Sequence, residues 1–438
     1  MPPHDLEAEQ SLLGAMLLSN DAASIGIETC SGGDFYKPAH GHIFGAIRVL
    51  MERGEPIDAV TVTDELKRSG LMEQVGDPSI FISLQANTPS IANARHYAAI
   101  VEEHSLLRKL IGVAGEIADI GYSVPEDVKA AVDDAEQLVF NVAERRGADS
   151  MHPLQDLLMK GLDRIEELGQ RGSEITGVAT GYHDLDRILL GLQPSSLNIV
   201  GARPGMGKTS FALGVLAHVG MAVQRPALLF SLEMGHLELT QRLLASEAEV
   251  NGQSLQNGRI RTQDWAKIGT AVTRLSQAPI FIDDNPNVTV MDIRARARRL
   301  KKAEGDLGLV VIDYLQLMTG RGRFENRQTE VADISRQLKI LARELEVPVM
   351  ALSQLSRNLE SRTDKTPQLS DLRESGSLEQ DADVVMFIYR ESEYNDEVPI
   401  DRADDALVEV AKHRNGPTGN ANLLFLKQYA RFENHRSV

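Results

Sequence analysis

The sequence predicts a two-part protein, with an α-helical N-terminal domain over residues 1–145 and an α/β domain over residues 178–438. In the first part, apolar residues recur at helical spacing, as Ile43, Ile47 and Leu50 do. In the second part, short apolar runs of the β type alternate with helical stretches. That alternation is typical of a largely parallel sheet with helices packed on its faces.

The composition limits the class of protein. A chain of 438 residues with 42% hydrophobic and 25% charged residues is ordinary for a globular protein, and its length suggests two or three domains of about 100–200 residues. Its apolar runs are too short to span a bilayer, and its acidic N-terminus does not resemble a secretory signal. Cys30 is the only cysteine, which excludes an internal disulfide. We therefore expect a cytoplasmic protein that does not enter a membrane.

The net charge of −17 argues against a protein that coats nucleic acid, but a basic channel inside an acidic body would not change this average much. The run RARARRLKK (294–302) contains six basic residues and no acid. It is either the solvated face of a helix or a patch for nucleic acid or a partner.

A linker is expected between the two domains, over residues 146–177. It begins with polar residues that include glycine and proline, and it continues with an amphipathic helix that ends at GQRGS. The apolar stripe of this helix consists of Leu154, Leu157, Leu158, Leu162, Ile165 and Leu168. Such a stripe must be buried, either on its own chain or on a neighbouring subunit.

The second domain has seven candidate strands. They are LNIVG (197–201), ALLFS (227–231), PIFID (279–283), LVVID (309–313), VPVMALS (347–353), DVVMFIY (383–389) and NLLFLK (422–427). Ligands of such sheets bind at the carboxyl ends of the strands.

A phosphate-binding loop is predicted where GARPGMGKT (201–209) lies between the first strand and a helical stretch. A glycine-rich turn there points successive backbone N–H groups inward as a cradle for phosphates. Lys208 is expected to reach the β- and γ-phosphates, and the Thr209 hydroxyl to bind Mg²⁺. Ala202 stands where the strict pattern has its first glycine. The expected nucleotide-binding residues are Arg203, Pro204, Gly205, Met206, Gly207, Lys208, Thr209 and Ser210.

A second metal ligand is expected at a strand end. LVVIDYLQLM supplies Asp313 after the most apolar run, and PIFIDDN offers Asp283 and Asp284 as rivals. We favour Asp313 because its strand is the better candidate for the centre of the sheet, which leaves Asp283 as an ordinary strand-end acid.

Hydrolysis of a nucleotide needs a group that orients water on the γ-phosphate. Glu233 in SLEM is the candidate base, and the alternative is a surface acid that begins a helix. Gln354 in LSQLSR is the candidate sensor of the γ-phosphate. Lys412 and Arg414 in KHRNGPTG are either surface charge on a loop or cations that act on the nucleotide of an adjacent subunit.

Six motifs in this order resemble those of the bacterial replicative DNA helicases, the DnaB family, whose motor domain is RecA-like. They are GARPGMGKTS, SLEM, VVIDYLQLM, LSQLSR, LRESGSLEQDADVV and KHRNGPTG, and the N-terminal PPHDLEAEQSLLGAML is similar as well. The resemblance implies a homohexameric ring that encircles single-stranded DNA, moves 5′ to 3′ with ATP, and interacts with primase and a helicase loader.

The resemblance also implies residue roles. Arg242 falls where the family has an arginine near the adenine, and Arg373, Glu374 and Gly376 of LRESGS fall where the family contacts the DNA backbone. Guanidinium and backbone amides suit phosphate, whereas a carboxylate such as Glu374 needs another group to hold it there. An alternative function is an ATP-gated, RecA-like DNA-binding or scaffold protein without unwinding. A fused primase is not expected, since the chain has no zinc-ligand spacing.

Overall fold

The computed structural model describes residues 1–125, 154–171, 175–320, 326–395 and 397–435, with nine further residues between 127 and 142. Its chain divides into two units, Met1–Met159 and Lys160–Val438. Among the described residues, no helix combines the length and the apolar character that a membrane crossing requires.

The N-terminal unit is helical over its described residues up to 125. Its helices are α1 (Leu6–Leu18), α2 (Asn20–Thr29), α3 (Pro38–Glu52), α4 (Ala59–Arg68), α5 (Met72–Val75), α6 (Ser79–Ala86) and α7 (Ala94–Tyr122). Side-chain caps set several helix starts: the Ala8 amide donates to Asp5 before α1 at 2.9 Å, and the Val60 amide donates to Asp58 before α4 at 2.8 Å. Such caps satisfy amide groups that have no partner inside the helix.

The core of this unit is built from the apolar positions that recur at helical spacing. Leu12 and Met16 of α1 meet Ile43 and Ile47 of α3, and all four side chains are fully buried. The first domain is therefore all-α over its described residues, as the sequence predicts.

The amphipathic linker helix is present as α8 (Leu154–Arg171). Leu154, Leu158 and Leu162 of its apolar stripe are exposed in the single chain. The side chains of Leu157, Ile165 and Leu168, and residues 146–153 and 172–174 of the expected linker, lie outside the described residues.

The second unit is an α/β domain. Its strands are β1 (Leu197–Ala202), β2 (Ala227–Ser231), β3 (Ile280–Asp283), β4 (Leu309–Asp313), β5 (Val349–Gln354), β6 (Val384–Tyr389), β7 (Asp405–His413), β8 (Gly419–Leu426) and β9 (Arg431–Asn434). Its helices are α9 (His183–Leu189), α10 (Lys208–Met221), α11 (His236–Ala248), α12 (Gly252–Gln256), α13 (Asp264–Ser276), α14 (Val290–Glu304), α15 (Arg327–Leu345) and α16 (Gly376–Asp381).

The nine strands form one sheet in the order β3-β2-β4-β5-β1-β6-β7-β8-β9. Strands β1 to β6 run parallel, and β7, β8 and β9 extend the sheet antiparallel. Every residue of β1, β2 and β4 is buried, because helices cover both faces of this part of the sheet. The strand order places β1 centrally. The loop after β1 therefore lies at the middle of the carboxyl edge, the edge at which the parallel strands end.

Two strands, β7 and β9, are absent from the sequence prediction. Strand β7 buries only alternate residues, Ala406, Val408 and Val410, so it contains no continuous apolar run. Strand β9 has four residues and is too short to stand out. As a consequence, Lys412 lies within a strand and not on the predicted loop, while Arg414 follows the strand end directly.

Candidate nucleotide-binding site

The loop between β1 and α10 has the backbone shape of a phosphate cradle. Gly205 and Gly207 have φ of +84° and +94°, a region that side chains other than glycine rarely adopt. A Cβ atom on Gly207 would also lie 2.9 Å from Phe432 and 3.0 Å from Phe425. Gly207 is followed by α10, so the free amides of the helix start face the loop.

Three side chains from two distant parts of the chain meet at this loop. The Thr209 hydroxyl donates to Asp313 Oδ2 at 2.7 Å, and Lys208 Nζ lies 3.6 Å from Asp313 Oδ1. Asp313 ends β4 and is 1% exposed, and its Oδ1 has no hydrogen-bond partner among the described residues. A buried carboxylate oxygen in this state is suited to accept a further ligand.

Lys208 lies in a mostly buried place beside two carboxylates. Burial lowers the pKa of this lysine below its ordinary value, and the nearby carboxylates of Asp313 and Glu233 oppose that decrease. The ammonium also lies 4.2 Å from the centre of the Tyr314 ring. A cation–π contact of this kind stabilises the charged form.

A cleft of about 830 Å³ opens from the loop and contains most of the predicted catalytic side chains. Glu233, which follows β2, and Gln354, which ends β5, both line it, and so does Arg242 of α11. Arg242 donates to Glu238 one helical turn away at 2.9 Å. The structure therefore brings these three residues to the same cleft as Lys208 and Thr209.

Two of the predicted loop residues have buried side chains that contact their own domain. Arg203 is buried, with Nε 2.9 Å from Glu360 and an NH group 2.7 Å from the Leu355 carbonyl. Met206 is also buried and packs in the core of the domain. These contacts fix the loop on the sheet, and Arg203 also lines the cleft.

Sequence reasoning missed two residues that support the cleft. Arg390, just after β6, is 3% exposed, lies 4.5 Å from the Phe425 ring centre and donates to the Gly205 carbonyl at 3.4 Å. Gln316, after β4, donates to Ser353 at 2.8 Å and to the Gln354 carbonyl at 3.2 Å. Both follow the carboxyl end of a parallel strand, which is the positional rule that could have identified them.

Lys412 and Arg414 lie where the parallel strands of the sheet begin, opposite the phosphate loop. Lys412 pairs in register with Val385, near the start of β6, and Val385 pairs with Ile199 of β1. The loop begins after Ala202, which is about 10 Å further along β1 at about 3.3 Å per residue. Neither cation is therefore directed at the nucleotide cleft of its own chain.

Both cations have acceptors in their own chain. Lys412 donates to the carbonyls of Glu379 and of Ala382, the latter at 2.9 Å. Burial lowers the pKa of Lys412, and the neighbouring Arg414 adds to this decrease. Arg414 donates to the Gln380 carbonyl at 2.6 Å and to Asp383 Oδ1 at 3.4 Å.

The rival acids and the basic run are used within the domain. Asp283, at the end of the edge strand β3, forms an ion pair with Arg296, and Asp284 accepts from the His236 amide at 2.9 Å. Within the basic run, Arg294 and Arg298 both pair with Glu344 of α15, and Lys301 donates to the Leu345 carbonyl. At least these members of the run bind their own domain.

The predicted DNA-contacting segment is helical in its backbone and not an irregular loop. Leu369–Ser375 forms a 3₁₀ helix that leads directly into α16. The side chains of Arg373 and Glu374 lie outside the described residues, as does the surface environment of Gly376.

A glycine-rich loop after a central parallel strand, a Lys-Thr pair at the following helix start and a carboxylate on a nearby strand define a RecA-like nucleotide-binding domain. Comparison with known proteins identifies the family. The sequence model of the DnaB-like helicase C-terminal domain matches residues 177–434, and that of the DnaB-like helicase N-terminal domain matches residues 1–103.

Full-length relatives agree with this match. The chain is 45% identical to the replicative DNA helicase DnaC of Bacillus subtilis (strain 168), over 99% of this chain and 95% of that protein. It is 46% identical to the replicative DNA helicase DnaB of Geobacillus stearothermophilus, with the same coverage. A solved structure of a DnaB-like replicative helicase and its interactions with primase is 31% identical, with a TM-score of 0.78, and covers 99% of this chain and 100% of that one.

The chain therefore belongs to the DnaB-like helicase family. This membership supports the function of a replicative DNA helicase, an ATP-dependent enzyme of DNA replication, and not the alternative of a scaffold without unwinding. The expected fold, a helical N-terminal domain followed by a RecA-like domain with a mostly parallel sheet, is confirmed.

Proposed function

We propose that the cleft binds ATP with Mg²⁺ and that ATP hydrolysis drives 5′ to 3′ movement on single-stranded DNA. The observation that carries this proposal is the meeting of Lys208, Thr209 and Asp313 at the glycine-rich loop. The backbone amides of residues 203–210 bind the phosphates, and Lys208 neutralises their charge. Arg242, which lines the cleft, contacts the adenine base.

The donor set fits Mg²⁺. A threonine hydroxyl and a buried carboxylate oxygen without a hydrogen-bond partner among the described residues are hard oxygen ligands of the kind this ion prefers. Thr209 and Asp313 would hold the ion, which supplies positive charge beside the β- and γ-phosphates when it is bound.

Glu233 and Gln354 divide the remaining work at the γ-phosphate. Glu233 lines the cleft as an exposed carboxylate, so it can orient a water molecule and accept its proton. Gln354 ends β5 beside Ala202, and its backbone is held by Gln316. Its amide therefore senses whether the γ-phosphate is present. The presence or absence of that phosphate is then transmitted to the residues that follow β4 and β5.

Lys412 and Arg414 act on the nucleotide of the adjacent subunit. Their position at the edge opposite the phosphate loop excludes their own cleft, and their charge suits the transition state of phosphoryl transfer. The functional unit is then a homohexameric ring, in which each cleft is completed by a neighbour.

The ring has three parts in each subunit: an N-terminal domain over 1–145, a linker over 146–177 and a motor over 178–438. Leu154, Leu158 and Leu162 of α8 are exposed in the single chain, which favours docking of the linker helix on the next subunit. Arg373, Glu374 and Gly376 contact the DNA backbone in the channel. Primase and a loader are the expected partners in the cytoplasm; a solved relative is described with its primase interactions.

The test is unwinding of forked duplexes with one 5′ and one 3′ tail, in the presence of ATP and Mg²⁺. Glu233→Ala should lower unwinding and ATP hydrolysis by about 10²–10⁴-fold, while assembly and nucleotide binding remain. The exposed Glu304→Ala serves as the control and should unwind normally. Retention of ATP hydrolysis by Glu233→Ala would show that another group activates the water, and dependence on the 3′ tail would overturn the proposed direction.

A further inference from the structure

Asp383, just before β6, joins three elements at the edge of the sheet opposite the phosphate loop. Its Oδ2 accepts from the Leu197 amide at 2.8 Å, at the start of β1, and from Lys339 of α15 at 2.6 Å. Its Oδ1 accepts from the Arg414 guanidinium at 3.4 Å. The carboxylate is 13% exposed, so these contacts lie in a partly desolvated place where charged hydrogen bonds are stronger than in water.

The backbone of Asp383 repeats the same connections. Its carbonyl accepts from the Arg414 amide at 2.8 Å, and its amide donates to the Leu197 carbonyl at 2.9 Å. Both the backbone and the side chain of Arg414 are therefore fixed relative to β1. Strand β1 continues directly into the phosphate loop, which connects Arg414 rigidly to the nucleotide cleft at the other edge of the same subunit.

The remaining part of the guanidinium is available to a second group. The side chain of Arg414 is 46% exposed. An arginine has five N–H donors in a planar fork, and each of the two contacts that the structure gives this guanidinium, with the Gln380 carbonyl and Asp383, uses one terminal nitrogen. A guanidinium held on one side and open on the other is preorganised to receive a phosphate.

We propose that Asp383 is a positioning residue. It holds the Arg414 side chain in the orientation that reaches the nucleotide of the adjacent subunit, and it links that side chain to β1. This inference rests on the proposed action of Arg414 across the subunit interface. Asp383 does not touch the nucleotide. It acts by restricting the orientations of Arg414, since a free arginine side chain would have to be ordered in each catalytic cycle.

Asp383→Asn tests the role of the charge. Asparagine keeps an oxygen for the Leu197 amide, so the fold should be retained, but it weakens the contacts with Arg414 and Lys339. We expect kcat of ATP hydrolysis to fall about three- to tenfold with KM for ATP nearly unchanged, because about 1.4 kcal/mol of lost transition-state stabilisation is tenfold. Asp405→Asn is the matched control, since Asp405 pairs with Arg402 at the same 3.4 Å near the other end of β7.

Mixed rings separate an action on the neighbour from an action within the subunit. Subunits with Asp383→Asn keep an intact phosphate loop, and subunits with Lys208→Met keep an intact Asp383 and Arg414. In rings assembled from equal amounts, roughly one interface in four combines the intact loop with the intact neighbour. ATP hydrolysis per ring should therefore exceed the mean of the two separate variants. A defect confined to its own subunit gives no such gain.

The mixture of Arg414→Ala with Lys208→Met is measured in parallel. If both mixtures gain activity, the inference holds. If only the Arg414→Ala mixture gains activity, the inference about Asp383 is wrong and the proposed role of Arg414 stands. If Asp383→Asn hydrolyses ATP normally, the inference about Asp383 is wrong whatever the Arg414→Ala mixture shows. If neither mixture gains activity, the action of Arg414 on the neighbour is wrong, and the inference falls with it. Should Asp383→Asn assemble poorly, Asp383→Glu retains the charge, displaces the carboxylate by one methylene and is judged in the same way.

Discussion

The motor sheet has a carboxyl edge, where its parallel strands end, and an amino edge, where they begin. The two edges differ in how completely their polar groups are satisfied by hydrogen bonds and ion pairs. At the carboxyl edge, Asp313 keeps a buried oxygen without a hydrogen-bond partner among the described residues, and burial lowers the pKa of Lys208. At the amino edge, Lys412 and Arg414 find carbonyl and carboxylate acceptors in their own chain. The buried groups of one edge lack partners, whereas the cations of the other have partners in their own chain and Arg414 keeps an exposed side.

The difference suits the two roles proposed for one domain, which are to bind a nucleotide at its carboxyl edge and to present cations to a neighbour at its amino edge. An edge with unsatisfied groups gains stability when a ligand binds, because binding supplies the missing partners. An edge whose cations are already paired can be presented to a neighbour without a large desolvation cost. In the proposed ring the two roles would lie at opposite ends of β1, so each β1 would connect one nucleotide to the next.

The largest effect should follow loss of Lys208. Lys208→Met removes the cation of the carboxyl edge, so nucleotide affinity should fall and ATP hydrolysis should decrease about 10³-fold. Lys412→Met removes the corresponding lysine of the amino edge and should lower kcat while nucleotide affinity stays the same. Titration with nucleotide and steady-state ATP hydrolysis check this contrast. Equal loss of affinity in both variants would contradict the division between the edges.

A smaller effect should distinguish the two glycines of the loop. Gly207→Ala combines a positive φ with contacts of 2.9 and 3.0 Å to Phe432 and Phe425, whereas a Cβ on Gly205 meets its nearest atom, on Glu393, at 3.8 Å. We expect a destabilisation of about 1 kcal/mol for Gly205→Ala and about 2–3 kcal/mol for Gly207→Ala. Thermal unfolding of the ligand-free protein measures both, and a larger loss for Gly205→Ala would show that the aromatic contacts are not limiting.

The carboxyl edge could be predicted from the sequence because its chemistry is contiguous or follows strand ends. GARPGMGKT carries the loop, Lys208 and Thr209 within nine residues, and Asp313, Glu233 and Gln354 each follow an apolar run. Because parallel strands end at one edge of the sheet, Glu233 and Gln354 line one cleft with Lys208 and Thr209, and Asp313 lies beside that pair.

The supporting contacts could not be predicted in this way. Arg390 reaches the carbonyl of Gly205, 185 positions earlier in the chain, and Asp383 reaches Leu197, 186 positions earlier. Such pairs depend on strand order and register, which no local pattern reports. Strand β7 was not predicted for a related reason. Its alternating burial indicates a strand only when one face of the sheet is known to be buried.

The smallest effect should be a dependence on alkaline pH that separates the edges again. Burial lowers the pKa of Lys208 below the ordinary value of 10.5, so in the free protein its proton is lost at a lower pH than in the unfolded chain. Because only the charged form binds phosphate, nucleotide affinity should fall as pH rises through this range, by up to about tenfold for each pH unit.

The stability of the ligand-free protein should change with the opposite sign. Across the same pH range the unfolded chain binds more protons at this residue, so Lys208 adds stability as pH rises. Nucleotide titration at several pH values, with Lys208→Arg as the control that stays charged, measures the affinity. If affinity falls equally in both proteins, the titrating group is not Lys208. If kcat at saturating ATP falls in both while affinity falls only in the natural protein, the second change belongs to the amino edge, where burial and Arg414 lower the pKa of Lys412.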